Sequence, residues 1–109
     1  MLVEKGSLQY KVEEFTDEAV VKISGWALNR KTLRAGTLNI VLTGQDKQQY
    51  IVKSERLYRP DVRDAFGKRR LAFAGFEAAF IKQNLPKQHY EVSLVLDGDA
   101  RMVGSIVVA

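Results

Sequence analysis

Cysteine is missing from the 109-residue chain, and histidine occurs only once, as His89. Without cysteine there is no disulfide, no thiolate metal site and no cysteine nucleophile, so the sequence is indifferent to the redox compartment. With a single imidazole, a metal site would have to be completed by carboxylates alone. The sequence therefore predicts neither a metal nor a cofactor.

The motifs of common enzymes are missing too. Neither a Gly-x-Ser-x-Gly elbow nor a Gly-x-Gly-x-x-Gly or Walker-type loop occurs among the eight glycines. His89 lies in a predicted turn with no nucleophile motif around it. Residues 97–99, Asp-Gly-Asp, lack the closing glutamate of a calcium loop and are typical of a hairpin turn. The 13 acidic residues offer no specific catalytic pair. We expect no catalytic residues, and no enzyme activity in this chain by itself.

Long apolar runs are also absent. The longest uninterrupted runs span a few residues, such as 106–109, whereas a membrane-spanning helix needs about 20 apolar residues. Residues 1–7 show no basic stretch that leads into an apolar segment. Neither a transmembrane segment nor a signal peptide is therefore predicted.

What the sequence does contain is alternation of apolar and polar residues with period 2, which is typical of half-buried strands. It predicts about seven strands, over residues 8–13, 20–28, 37–43, 50–55, 71–81, 90–96 and 102–108. One short helical turn is predicted at residues 61–66, and no helix is long enough for an α/β fold. We therefore predict an all-β, two-sheet antiparallel immunoglobulin-like β-sandwich, with an OB-type barrel as the competing architecture.

The length fits a single domain, residues 1–109. The last predicted strand runs into Ala109 without a polar tail, and Leu2 and Val3 precede the first strand. Natural chain ends usually fray into polar residues. We therefore expect a domain excised from a longer polypeptide, with the chemistry carried by other parts of that chain.

The clearest chemical feature is a cluster of cations in the middle of a chain whose net charge is +4. Its members are Arg56, Arg59, Arg63, Lys68, Arg69 and Arg70. They are candidate contacts for an anionic polymer or an acidic protein and, less favoured, for nucleic acid. The alternative is a solvated loop whose arginines pair with Glu55, Asp61 and Asp64.

The aromatic residues divide into core and surface candidates. Tyr10 and Tyr90 lie in register with apolar neighbours, and Trp26 follows Gly25 in the middle of a strong strand, so all three are predicted to fill the core. Tyr58 lies in the predicted loop, where a ring is exposed. It is the candidate for stacking on a sugar ring.

A series of short motifs resembles a known family. In order they are Ile-Ser-Gly-Trp-Ala at 23–27, Arg-Pro-Asp-Val at 59–62, Ala-Gly-Phe at 74–76, Leu-Pro at 85–86 and Tyr-Glu-Val-Ser-Leu at 90–94. This order is similar to small β-sandwich accessory domains of Gram-positive cell-wall polymer enzymes. Those enzymes include the CDP-glycerol glycerophosphotransferases of teichoic acid biosynthesis and related surface-polysaccharide glycosyltransferases. The resemblance covers roughly residues 20–96 and departs at Gln88, where a glycine is expected before the tyrosine.

The resemblance implies that the matched residues determine the fold. They are Gly25, Trp26, Pro60, Asp61, Val62, Phe66, Gly75, Phe76 and Tyr90. We expect Arg59 to bind a carboxylate or loop carbonyls in a bidentate manner and Asp61 to cap the short helix. Val62, Phe66 and Phe76 are expected to anchor the loop on the sheet.

For function, the resemblance implies a non-catalytic accessory module that contacts polymer, the membrane surface or a neighbouring catalytic domain. It also implies a cytoplasmic location, at the inner face of the membrane through the parent enzyme. Two alternatives stay open at this point. One is a purely structural or oligomerisation module that uses an edge strand, and the other is an OB-like binder of single-stranded nucleic acid.

Overall fold

The computed structural model describes residues 6–109, so Leu2 and Val3 lie outside the described residues. The strands are β1 (Leu8–Asp17), β2 (Val20–Asn29), β3 (Leu38–Gly44), β4 (Gln49–Lys53), β5 (Glu55–Leu57), β6 (Gly75–Ile81), β7 (His89–Leu96) and β8 (Asp99–Val107). One α-helix, α1 (Pro60–Phe66), and two 3-10 turns, Arg69–Leu71 and Lys82–Asn84, complete the elements.

The strands form two four-stranded antiparallel sheets. Sheet A has the order β1-β2-β6-β5, and sheet B has the order β4-β3-β7-β8. The predicted all-β two-sheet sandwich is confirmed, and the competing OB-type barrel is not formed. No helix of the described residues is long and apolar enough to cross a membrane.

The core lies between the sheets because each strand turns alternate residues inward. In β2 Val21, Ile23, Gly25 and Ala27 are buried, as the alternation predicts, and Leu28 and Asn29 at the end of the strand are buried as well. β3 and β7 repeat the pattern with every second residue buried. Tyr90 is buried among them, and Tyr10 packs half-buried against the same cluster, so both are in the predicted core.

The predicted strand at residues 50–55 is in fact two strands in different sheets. β4 ends at Lys53 in sheet B, and β5 begins at Glu55 in sheet A. Between them the Ser54 hydroxyl donates a hydrogen bond to the Leu38 carbonyl (3.0 Å). The chain therefore crosses from sheet B to sheet A at Ser54. The segment that follows, which contains the predicted cluster of cations, thus lies on the sheet A side of the molecule.

The prediction of strand from Leu71 onwards is wrong for its first four residues. Residues 69–71 form a 3-10 turn, and β6 begins only at Gly75. Leu71 and Ala74 are buried in a second small cluster with Leu28 and Val62. The turn is therefore held by packing against the outer face of sheet A and not by strand pairing.

Trp26 does not fill the sandwich core. The alternation in β2 places it on the face opposite Ile23, where it is half-buried and meets Phe66 of α1 edge to face (ring centres 5.9 Å apart). Val62 and Phe66 do anchor the helical segment there, whereas Phe76 lies in the main core and plays no part in that anchorage. Trp26 thus fixes α1 onto the outside of sheet A.

The turn before β7 is closed by a tyrosine corner, a hydrogen bond from a buried tyrosine to the main chain just upstream. The Tyr90 hydroxyl donates to the Pro86 carbonyl (2.7 Å). Gln88, which stands where the family resemblance expects glycine, donates from Nε2 to the Tyr90 hydroxyl (3.3 Å). Its Oε1 accepts from the Asp46 amide (3.3 Å). Gln88 therefore ties this turn to the β3–β4 hairpin.

Candidate functional site

The six predicted cations do not form one continuous surface. Arg56 differs from the others because its side chain is turned into the protein. It lies opposite Phe76 in the β5–β6 register, on the inner face of sheet A. Its guanidinium donates to the carbonyls of Ala27 (3.1 Å), Ala74 (3.0 Å) and Ala35. Burial lowers the pKa of Arg56. This side chain holds β2, β5 and the start of β6 together. Its two terminal nitrogens are used inside the protein, whereas its Nε is buried without a hydrogen-bond partner among the described residues.

Arg59 is also engaged by its own chain. Its guanidinium makes two hydrogen bonds to the Glu13 carboxylate (2.6 and 3.1 Å) and two to the Asp61 carboxylate (2.9 and 2.8 Å). The expected bidentate contact is confirmed, on two carboxylates at once. The side chain lies over Gly75, where an added Cβ would stand 2.6 Å from Arg59 Cγ.

Asp61 has a different role from the one expected. Arg59 occupies the N-cap position of α1, no side chain caps the helix, and Asp61 lies in the first turn. Its carboxylate binds the Arg59 guanidinium, which lowers the pKa of Asp61 to about 2. The same guanidinium lowers the pKa of Glu13 and is itself held protonated, with its own pKa raised. The single positive charge of Arg59 is therefore more than balanced by the two carboxylates beside sheet A.

Arg63 is paired within the protein, but it lies next to cations whose side chains have no partner among the described residues. It donates to the Asp64 carboxylate (3.0 Å) and to the Tyr58 hydroxyl (3.0 Å). The predicted exposed ring, Tyr58, is 54% exposed, and Phe73 beside it is 56% exposed, with ring centres 5.5 Å apart. An exposed aromatic pair thus adjoins Arg63, and only its tyrosine was predicted to stack on a sugar ring.

Lys68 and Arg69 are the open cations of the predicted cluster. Both are exposed, and neither side chain makes a hydrogen bond or ion pair within residues 6–109. They line a shallow depression with Arg63, Asp64 and Gly67. Gly67 adopts a left-handed conformation (φ 65°) at the C-cap of α1, which turns the chain away from the helix axis at this point.

Arg70 brings a second basic segment to the same place. Its Nε donates to the Leu33 carbonyl (3.0 Å), in the connection between β2 and β3. That connection carries Arg30, Lys31 and Arg34, all exposed. Sequence analysis treated it only as a loop. Three cations in five residues were visible in the sequence, but their proximity to residues 63–70 depends on the tertiary structure.

We call residues 30–36 and 63–70 together the basic end. The first segment has three cations and no acidic residue, and the second has four cations and one aspartate. This excess of positive charge is larger than the net charge of the whole chain, +4. The rest of the protein is therefore net negative, and the positive field is concentrated at one end of the sandwich.

The Asp-Gly-Asp turn at residues 97–99 lies at this end too, and its carboxylates bind the main chain. Asp97 accepts from the Asn29 side chain (2.9 Å) and the Thr37 amide (3.0 Å), contacts that lower the pKa of Asp97. Asp99 accepts from the amides of Ser7 (2.8 Å) and Leu8 (2.9 Å). Both aspartates fix loops, and among the described residues no group of His, Cys, Asp and Glu is placed to hold a metal ion.

The arrangement as a whole can bind anions. It offers exposed ammonium and guanidinium donors on two loops, next to two exposed rings. The hydrogen bond from the Arg70 side chain to the Leu33 carbonyl holds these loops side by side. Comparison with protein-family models, with curated proteins and with solved structures found no match to this chain.

Proposed function

We propose that this chain is a non-catalytic accessory module that binds an anionic polymer through the basic end. The observation that carries the proposal is the concentration of positive charge there, with Lys68 and Arg69 exposed and unpaired within the described residues. A polyanion contacts several such cations at once, so weak individual contacts add up to useful affinity.

The polymer that fits best is one with regularly repeated phosphates, such as the glycerol-phosphate chain of teichoic acids. Its charge density suits cations on two neighbouring loops. The resemblance to accessory domains of Gram-positive wall-polymer enzymes favours this choice. The parent enzyme is then a transferase that acts at the inner face of the membrane, with this module holding its product or acceptor.

The test is a backbone-amide NMR titration at low salt with polyglycerol phosphate, a neutral glycan and an oligonucleotide in separate experiments. We expect shifts at residues 30–36 and 63–70 with the polyphosphate, weakening as salt rises because exposed charges are screened. The variant Lys68→Ala/Arg69→Ala removes two open cations. At about 1 kcal/mol per cation near an anionic surface, its affinity should fall about 10- to 30-fold.

The matched control is Lys22→Ala/Lys87→Ala, which removes the same charge from exposed positions on the opposite half of the molecule. Lys22 lies near the start of β2, and Lys87 precedes β7. A similar loss in both double variants would mean that the net charge attracts the polymer and the basic end does not. No binding of polyglycerol phosphate by the unmodified protein would exclude the proposal.

A further inference from the structure

Tyr58 and Phe73 are large aromatic residues whose rings are exposed to solvent. Single exposed apolar residues are common on protein surfaces. Here two rings stand side by side, each more than half exposed, with a tilt of 52° between their planes. The open cations lie next to this pair of rings. Arg63 binds the Tyr58 hydroxyl and also lines the depression with Lys68 and Arg69.

The pair is held in place without being buried. The Arg59 amide donates to the Ala72 carbonyl (2.6 Å), which fixes the residues next to Tyr58 and Phe73 beside one another. The Tyr58 hydroxyl is bound by Arg63 (3.0 Å), and the Arg63 guanidinium carbon lies 5.8 Å from the ring centre. A ligand that packs on these rings therefore meets a preorganised surface and loses little side-chain entropy of the protein on binding.

From these observations we infer that Tyr58 and Phe73 form a stacking subsite for a sugar ring of an anionic glycan, whose charged substituents bind Arg63, Lys68 and Arg69. The inference rests on the proposed function and adds a requirement to it, because the anionic polymer then has to carry sugar rings in addition to its repeated phosphates. The electron-rich face of an aromatic ring attracts the polarised C–H groups of a sugar. The cations alone would not distinguish such a polymer from a ringless polyphosphate.

A glycan fits this surface better than single-stranded nucleic acid. Nucleic-acid grooves stack successive bases on a series of aromatic side chains. Within the basic end the one aromatic residue is Phe66, which is half-buried against Trp26. The tilted pair can thus stack on one ring, and the cations beside it can bind charged groups. A glycan with anionic substituents has both features.

The experiment compares two polyanions that differ in the presence of rings, dextran sulfate and linear polyphosphate, by calorimetric titration at low salt. We expect Tyr58→Ala/Phe73→Ala to weaken dextran sulfate binding about tenfold, the loss typical of one stacked ring, with less than a twofold change for polyphosphate. Lys68→Ala/Arg69→Ala should weaken both. Tyr58→Phe, which keeps the ring, should retain most of the affinity for dextran sulfate.

The control variant is Ile51→Ala/Met102→Ala, which removes two exposed apolar side chains (67% and 60% exposed) from the outer face of sheet B and should change neither affinity. Equal weakening of both polymers by Tyr58→Ala/Phe73→Ala, or of neither, overturns the stacking subsite. So does a loss that appears only with a thymidine oligonucleotide. These results differ from failure of the proposed function, in which the unmodified protein binds neither polyanion.

Discussion

At the scale of single residues, the arginines of the central segment have unlike roles although they are close in sequence. Arg56 donates to main-chain carbonyls inside the protein, Arg59 binds two carboxylates, and Arg70 binds the carbonyl of Leu33. The planar guanidinium suits this use because it directs several donors in fixed directions. Charge in the sequence is therefore a poor guide to which cations are free for a ligand.

We predict that Arg56→Met destabilises the protein by about 2–3 kcal/mol, since it removes the guanidinium donor of the Ala27 and Ala35 carbonyls, whereas the Ala74 carbonyl keeps the Ala27 amide as a donor (2.9 Å). Arg56→Lys should restore little of this loss, because one ammonium group cannot reach carbonyls from three segments. Urea unfolding measures both. Arg69→Met is the matched control, expected to stay within about 0.5 kcal/mol at its exposed position. Equal midpoints for the Arg56 and Arg69 variants would refute the structural role of Arg56.

At the scale of the elements, a bulge in β1 contributes one of the carboxylates that bind Arg59. The β1–β2 register shifts between Val12 and Glu14, so Glu13 is the extra residue, and its carboxylate reaches Arg59. Gly25 faces this bulge in β2. A Cβ there would lie 2.0 Å from the Lys11 carbonyl oxygen, so the close approach of the two strands requires glycine.

Gly25→Ala should therefore cost about 3 kcal/mol, the upper range for inserting a methyl group where the backbone has to move. Urea unfolding gives the stability, and the NMR signal of the Arg59 side chain reports whether the contact with Glu13 survives. Lys22→Ala, exposed in the same strand, is the control and should have little effect. An unchanged midpoint for Gly25→Ala would show that the strands can separate at no cost.

At the scale of the whole molecule, charge is distributed unevenly. The basic end carries more than the net positive charge, while the carboxylates of Glu13, Asp61 and Asp97 all have a pKa below the usual value because they bind donors in the folded state. A carboxyl with a lowered pKa stabilises the folded state above its unfolded pKa, about 4, and the stabilisation is lost as the pH falls towards the folded value.

The urea midpoint should therefore fall as the pH is lowered from 6 to 3. The Glu13 and Asp61 contributions are modest, since both carboxylates are exposed, and they should shrink in high salt. Asp97→Asn should lower stability at pH 7 and reduce the pH dependence, because it removes the charge that Asn29 and Thr37 bind. Glu91→Gln, exposed in β7, serves as the charge control. A midpoint that does not change between pH 6 and pH 3 would contradict this account.

Local regularities allowed much of this fold to be predicted from the sequence. Alternation with period 2 depends only on neighbours along the chain, and it identified the inward-facing residues of β2, β3 and β7, although not the burial of Leu28 and Asn29. The short helix after Pro60 was predicted for the same reason. The exposure of Tyr58 also followed from its place in a loop.

Only the tertiary structure decided which of these residues come together. The chain changes sheets at Ser54, Trp26 packs under α1 on the outer face, and Arg56 turns inward to main-chain carbonyls. The segment with Arg30 and Arg34 joins the basic end through one contact from Arg70 to Leu33. These arrangements depend on contacts between residues about 20 to 40 positions apart, which no periodicity within a short window encodes. The sequence by itself thus determined the strands and the amount of charge, and packing between distant segments determined where the free charge is exposed.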